Sequence, residues 1–207
     1  MHKELEAYFV DTEPAVRHLF DALHEYDAQT APPSLGKYAD HRGVVTMSRE
    51  QALGYMKELS GSLALDFAKA TLCGSIAQVA YVALKQYSRN EIVDDASAPL
   101  AVAQASGAAK FCVGRRVHGI PLGLLVYAAR VQYNHWEEGT PTSAVPKAVL
   151  EALYRHYAND LSFDMAYVLD WPAPRPVAHY ILRHELRWIS YGDYINDMRQ
   201  ALNPVAA

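Results

Sequence analysis

Residues 70–84 read ATLCGSIAQVAYVAL, and this stretch decides the predicted fold. It carries no charged side chain over about four turns of helix, and many of its residues are small. A helix that is apolar on every side is buried at the centre of its domain. We therefore expect residues 70–84 to lie in a central helix that runs from about Ser62 to Ser88.

The sequence on either side of this stretch also favours helices. We predict helices over about residues 14–28, 48–60, 62–88, 99–118, 121–138, 144–161, 163–171, 177–189 and 193–202. Pro14 suits the first turn of the first helix. Ser48 and Gln51 match the capping box of the second, which is expected to break near residues 60–62, where a glycine stands between two serines.

The segment around Gly119 allows two interpretations. In the helical one, Gly119 takes the left-handed conformation at the end of the helix over residues 99–118, and Pro121 opens the next helix. In the alternative, residues 111–133 form a β-hairpin, since valine, tyrosine and phenylalanine are common there. The helical interpretation is the one we favour.

These patterns predict an all-α fold, namely a single-domain helical bundle of about eight or nine helices around the buried central helix. A linker over about residues 29–47, with two prolines and two glycines, joins the first helix to the rest. A chain of 207 residues has ample material for one substantial core.

Composition bears on location and partners. The chain is 51% hydrophobic and 20% charged, with a net charge of −4, which does not favour a nucleic-acid surface. Its longest apolar run, residues 122–129, is too short to span a bilayer. Cys73 and Cys112 do not suggest a disulfide framework. We expect a cytoplasmic protein without membrane or nucleic-acid partners; a small molecule or a second copy of the chain fits better.

Three predicted helices carry polar side chains on faces that should be apolar. Helical wheels place Gln132 and His135, His156 and Asp160, and His184 and Glu185 on these faces. Burying such groups costs free energy unless they are paired or bind something. Arg130 and Arg183 fall instead on solvated faces. The three pairs are therefore the candidates for a functional site.

Imidazoles and carboxylates that meet inside a helical bundle can form a metal centre. His135, His156 and Asp160 are the predicted ligands, and zinc, manganese or non-haem iron would suit such a set. Without a metal, Glu185 and His184 are the candidates for general acid–base catalysis.

Side chains near these groups could enclose a substrate. The predicted ligand-binding residues are Gln132, Tyr133, Trp136, Tyr157 and Trp188. Two functions stay open on the sequence alone. One is a metal-dependent or acid–base enzyme that acts on a small molecule in a pocket of the bundle core. The other is a non-catalytic helical binding protein, such as a partner-neutralising module, in which each buried polar group has a local hydrogen-bond partner.

Overall fold

A computed structural model describes residues 2–28, 47–101, 107–135, 143–157 and 177–203. The fold is all-α, as predicted. Its helices are α1 (His2–Asp27), α2 (Arg49–Tyr87), α3 (Ala98–Ala101), α4 (Leu122–Asn134), α5 (Ala144–Tyr157), α6 (Ala178–Tyr180) and α7 (Tyr191–Leu202). A 3-10 turn covers Ala108–Phe111 and a π-helical turn covers Ile181–Glu185. Two short strands, β1 (Arg116–Val117) and β2 (Ile120–Pro121), form an antiparallel hairpin.

The central helix is confirmed. No residue from 70 to 84 is exposed, and Ile76, Ala80 and Leu84 are 0% exposed. α2 packs against α1 on one side and against α4 on another. The capping box at Ser48 and Gln51 is present. The predicted break at residues 60–62 is wrong, because one glycine costs a helix only about 1 kcal/mol and the packed half of α2 offsets that cost.

One helical stretch within the described residues, Ala64–Tyr87, is long and apolar enough to cross a membrane by length and composition. The core helix of a soluble protein meets the same criteria. In this structure the stretch forms the packed half of α2, in contact with α1 and α4.

Helix α1 begins at His2, well before the predicted start at Pro14. Pro14 lies inside the helix, where it removes the hydrogen bond to the Val10 carbonyl. Val10 is exposed, so that carbonyl can be hydrated. Leu5 and Phe9 extend the apolar stripe toward the N-terminus and are buried, and their burial offsets the cost of the proline.

The predicted helix over residues 99–118 is wrong beyond the 3-10 turn. Gly114 has a φ of +82°, and a Cβ there would lie 3.0 Å from the Cβ of Leu122. The loop instead caps α4, since the Leu122 and Gly123 amides donate to the carbonyls of Arg115 and Val113. The alternative hairpin is right for residues 116–121, but residues 122–133 are helical.

Helix α4 lies close against the central helix at one glycine. An ideal Cβ on Gly74 of α2 would come within 2.4 Å of the Tyr133 ring of α4. The absence of a side chain at residue 74 therefore sets how closely the two helices pack. The linker over residues 29–46, the predicted helix over residues 163–171 and the proline-rich connector at residues 172–176 lie outside the described residues.

A histidine, tyrosine and glutamate cluster as the candidate acid–base site

Glu185 is buried in the apolar arc of its helix, as predicted. Its side chain is only 2% exposed. Oε2 of Glu185 lies 3.0 Å from Nε2 of His118 and accepts a hydrogen bond from the Tyr157 hydroxyl at 3.2 Å. The buried carboxylate is thus held by two groups that can themselves take part in proton transfer.

His118 reaches Glu185 from the tip of the β1–β2 hairpin. His118 and Gly119 form its two-residue turn with φ values of 51° and 80°. A type I′ hairpin turn requires positive φ at both positions, and Asn-Gly is its preferred pair. Sequence reasoning missed His118, because it assigned this residue to the end of a helix. The signal for a hairpin turn was the pair His118-Gly119, which stands between Arg116-Val117 and Ile120-Pro121.

Helix α5 contributes two residues to the same place, His156 and Tyr157. The Tyr157 hydroxyl lies 3.3 Å from Nε2 of His118. The His156 ring stacks on the His118 ring, with centroids 3.7 Å apart and an interplanar angle of 28°. We call His118, His156, Tyr157 and Glu185 the His118 cluster. His156 is exposed, so its predicted burial is wrong: it lies at the edge of the apolar face and covers His118.

The geometry of the cluster suits His118 for acid–base chemistry. A carboxylate has acceptors only, so the imidazole donates through Nε2 and keeps its lone pair on Nδ1. Nδ1 makes no hydrogen bond within the described residues, and the side chain is 29% exposed. A proton taken up at Nδ1 would give an imidazolium facing the Glu185 carboxylate, which stabilises that charge.

A π-helical turn places Glu185. The Leu186 amide donates to the Ile181 carbonyl at 2.9 Å, five residues back, and Arg187 then ends the helix with a φ of 54°. Such π-turns are frequent at functional sites. The helix predicted to continue to residue 189 therefore ends early, and arginines bind the carbonyls of Leu186, Trp188 and Ile189 that follow its end.

The first of these arginines is Arg115. Its Nε and Nη2 atoms donate to the Asp197 carboxylate at 2.9 to 3.1 Å, and Nη2 also donates to the Leu186 carbonyl. The Trp188 indole donates to Asp197 at 2.8 Å. We call Arg115, Trp188 and Asp197 the Asp197 cluster. It ties the loop before His118 to the segment directly after Glu185, and so positions both His118 and Glu185.

Arg183 is the second arginine, and its predicted place on a solvated face is wrong. Its side chain is largely buried and pairs with Asp27, which also binds Lys69 at 3.1 Å. Nη1 of Arg183 donates to the carbonyls of Trp188 and Ile189. The early end of the helix exposes these carbonyls, and Arg183 turns back to satisfy them.

In α4 the predicted burial of Gln132 is confirmed and that of His135 is wrong. Gln132 Oε1 accepts a hydrogen bond from the Val177 amide at 2.8 Å, and this bond ties α4 to α6. His135 is exposed because α4 ends at Asn134, so the helical wheel no longer applies. Arg130, expected on the wet face, is half-buried: it donates to Gln78 at 2.8 Å and lies over the Tyr81 ring.

The other predicted site residues are spread over the molecule. His184 is exposed, and its ring contacts are with His179 and Tyr180. Because adjacent side chains of a helix point to different sides, His184 points away from the buried face that carries Glu185. Trp188 is fully buried in the Asp197 cluster. Tyr133 packs on Gly74, and Trp136 lies outside the described residues.

Within the described residues, no group of three or more histidine, cysteine, aspartate or glutamate side chains is arranged to hold a metal ion. Asp160 lies outside those residues. A ligand set that joins Asp160 to His156 therefore stays a prediction, as does a ligand role for His135.

Comparison with known proteins adds no further assignment: no protein family, curated protein or solved structure matches the chain.

Proposed function

We propose that the protein is an acid–base enzyme that acts on a small molecule, with His118 as the group that exchanges the proton. The observation that carries this proposal is the contact between His118 Nε2 and a carboxylate that is 2% exposed. A buried carboxylate that orients a partly exposed imidazole is the arrangement of many general bases.

The proposed cycle uses the residues of the His118 cluster. Nδ1 of His118 accepts a proton from the substrate, and Glu185 stabilises the imidazolium. The same nitrogen then returns the proton to the leaving or rearranged group. Tyr157 keeps Oε2 of Glu185 hydrogen-bonded throughout, and the His156 ring covers one face of His118. Compared with the sequence-based hypothesis, His118 replaces His184 and the base lies at the edge of the bundle, while Glu185 changes from an acid–base group to the carboxylate that orients the base.

The proposed location and a metal-dependent form of the enzyme rest on separate observations. The acidic composition and two free cysteines favour the cytoplasm. A metal-dependent form of the enzyme would use His156 with Asp160, and metal analysis of freshly purified, chelator-free protein tests it. Stoichiometric metal that is lost in His156→Ala would support that form over the metal-free one.

The acid–base proposal is tested with His118→Asn and Glu185→Gln. His118→Asn creates the Asn-Gly pair that a type I′ turn prefers, so it removes the imidazole without harming the fold. The assay is hydrolysis of p-nitrophenyl acetate, a substrate that reports imidazole reactivity. Both variants are expected to lose at least about tenfold in rate, since a positioned base typically contributes about 10²- to 10⁴-fold.

His24→Asn is the matched control, because His24 is an exposed histidine on α1. Its rate should equal that of the unmodified protein. Mass mapping after diethyl pyrocarbonate treatment gives a second readout, in which Glu185→Gln slows modification of His118 and leaves that of His24 unchanged. If His118→Asn and Glu185→Gln both keep the hydrolysis rate, and His118 is modified equally fast in Glu185→Gln, the acid–base proposal is wrong and the non-catalytic binding protein becomes the better hypothesis.

A further inference from the structure

An open cleft of about 520 Å³ lies at the base of the hairpin, between the loop after α2 and the end of α7. Its polar lining comes from Asn90, Asp94, Cys112, Arg115, Arg116 and Gln200. We call it the arginine cleft. Its volume is within the range of small-molecule sites.

The walls of the arginine cleft are fixed by hydrogen bonds. Nδ2 of Asn90 donates to the carbonyls of Ile92 and Ala109, both at 2.7 Å, and so ties the loop after α2 to the 3-10 turn. Oδ1 of Asp94 accepts from the Ser97 amide at 2.8 Å, at the start of α3. Because these contacts are already made, a ligand would enter a site that needs little ordering.

Both arginines that line the cleft keep unused donors. An arginine side chain carries five N–H donors. Arg115 uses Nε and Nη2 for Asp197 and Leu186, and Arg116 uses Nη1 and Nη2 for Gly119, Ser97 and Asp94. Nη1 of Arg115 and Nε of Arg116 make no hydrogen bond within the described residues.

Asp94 is the internal anion of the cleft. Its carboxylate lies 2.6 Å from Nη2 of Arg116, and both side chains are well exposed. Hydrogen bonds from Ser97 and Arg116 hold the pKa of Asp94 below its usual value. Exposed ion pairs contribute little net stability, so another anion can replace Asp94 on Arg116 at small cost. Because Asp197 already balances the charge of Arg115, an anionic ligand would gain its main attraction by taking the place of Asp94 on Arg116.

We propose that the arginine cleft binds the carboxylate or phosphate group of a small molecule, with Arg116 as its main contact. Guanidinium groups bind both kinds of oxyanion in a planar, bidentate manner. The cleft does not depend on the His118 cluster. The two sites share the hairpin, however, since Arg116 is two residues before His118.

The test measures binding of inorganic phosphate and of malonate to the whole chain by titration calorimetry, with chloride at equal ionic strength as the reference. At least one oxyanion should bind and chloride should not. Arg116→Gln should weaken binding by roughly tenfold or more, the loss expected for a charged hydrogen-bond donor. Asp94→Asn should strengthen binding severalfold, because it removes the competing charge and keeps the Oδ1 acceptor for Ser97.

Arg155→Gln serves as the control, since Arg155 is an exposed arginine on α5. Its affinity should stay within twofold of the unmodified chain. Phosphate binding without malonate binding would identify a phosphate ligand, and the reverse a carboxylate. Binding that persists in His118→Asn separates this proposal from the acid–base one. No binding of either oxyanion, or equal loss in Arg116→Gln and Arg155→Gln, would overturn it.

Discussion

Two carboxylates near the C-terminal end of the chain are held in opposite ways. Asp197 faces Arg115, which is always charged, and the Trp188 indole, which only donates. Glu185 faces the His118 imidazole and the Tyr157 hydroxyl. Within the described residues, each carboxylate accepts hydrogen bonds from two side chains. The two carboxylates differ in whether those partners can take part in proton transfer.

This difference separates a structural cluster from a candidate reactive one. An arginine keeps its proton, so the Asp197 cluster has one charge state and holds one geometry. An imidazole can both accept and donate a proton, so the His118 cluster can take part in proton transfer. The Asp197 cluster fixes the backbone that carries the His118 cluster, because Arg115 also binds the Leu186 carbonyl next to Glu185.

The largest expected effect comes from making the same change at both carboxylates. Asp197→Asn should lower the free energy of unfolding by about 1.5 to 3 kcal/mol, because it weakens the hydrogen bonds from Arg115 and Trp188 to a carboxylate that is only 14% exposed. Glu185→Gln should cost less than about 1 kcal/mol, since an amide oxygen can still accept from His118 or Tyr157. Urea unfolding measures both.

Asp21→Asn, at an exposed position of α1, is the control and should change stability by less than about 0.5 kcal/mol. A loss of stability in Glu185→Gln that equals or exceeds that of Asp197→Asn would break the comparison. Glu185 would then be as structural as Asp197.

A smaller effect is expected from Tyr157→Phe, which removes one hydrogen bond to Glu185. The expected loss is about 1 kcal/mol, the usual contribution of such a bond. Tyr26→Phe, at a half-buried position of α1, should cost less. Urea unfolding of the two variants in parallel checks this, and equal losses would show that the hydroxyl of Tyr157 contributes nothing specific to the cluster.

The smallest effect concerns Tyr194, which packs edge-on against Trp188 of the Asp197 cluster. Its hydroxyl is buried without a hydrogen-bond partner within the described residues. Tyr194→Phe removes that unsatisfied group and should leave stability unchanged or raise it by up to about 1 kcal/mol.

Tyr8→Phe is the matched variant for this prediction. The Tyr8 hydroxyl donates to the Val79 carbonyl at 2.8 Å, and burial raises its pKa to about 12. Losing this bond should cost about 1 kcal/mol. A loss in Tyr194→Phe as large as that in Tyr8→Phe, measured by thermal unfolding, would mean that Tyr194 has a partner after all.

The sequence predicted what depends on local pattern. Residues 70–84 lack charge over several turns, and Ser48 with Gln51 caps a helix through neighbours alone, so both features were confirmed. Glu185 was found because a carboxylate between apolar helix positions stands out. These inferences use only residues that are close in the chain.

What failed depends on contacts between distant residues. His118 gains its role only when the hairpin meets the π-helical turn, and strands of two residues leave no periodic pattern to detect. The predicted burial of His135 required α4 to continue past Asn134, where it ends. Arg183 was assigned to solvent because its partner, Asp27, comes from the other end of the described fold.

Gly74 has a consequence for the candidate site, although it belongs to the core. The Tyr133 ring occupies the space that a side chain at residue 74 would need. Tyr133 belongs to α4, a rigid rod whose first amides are bonded to the loop that leads into the hairpin of His118. A methyl group at residue 74 would therefore displace α4 and, through the loop bonded to the first turn of α4, the imidazole of His118. The packing at residue 74 therefore bears on the position of the candidate base.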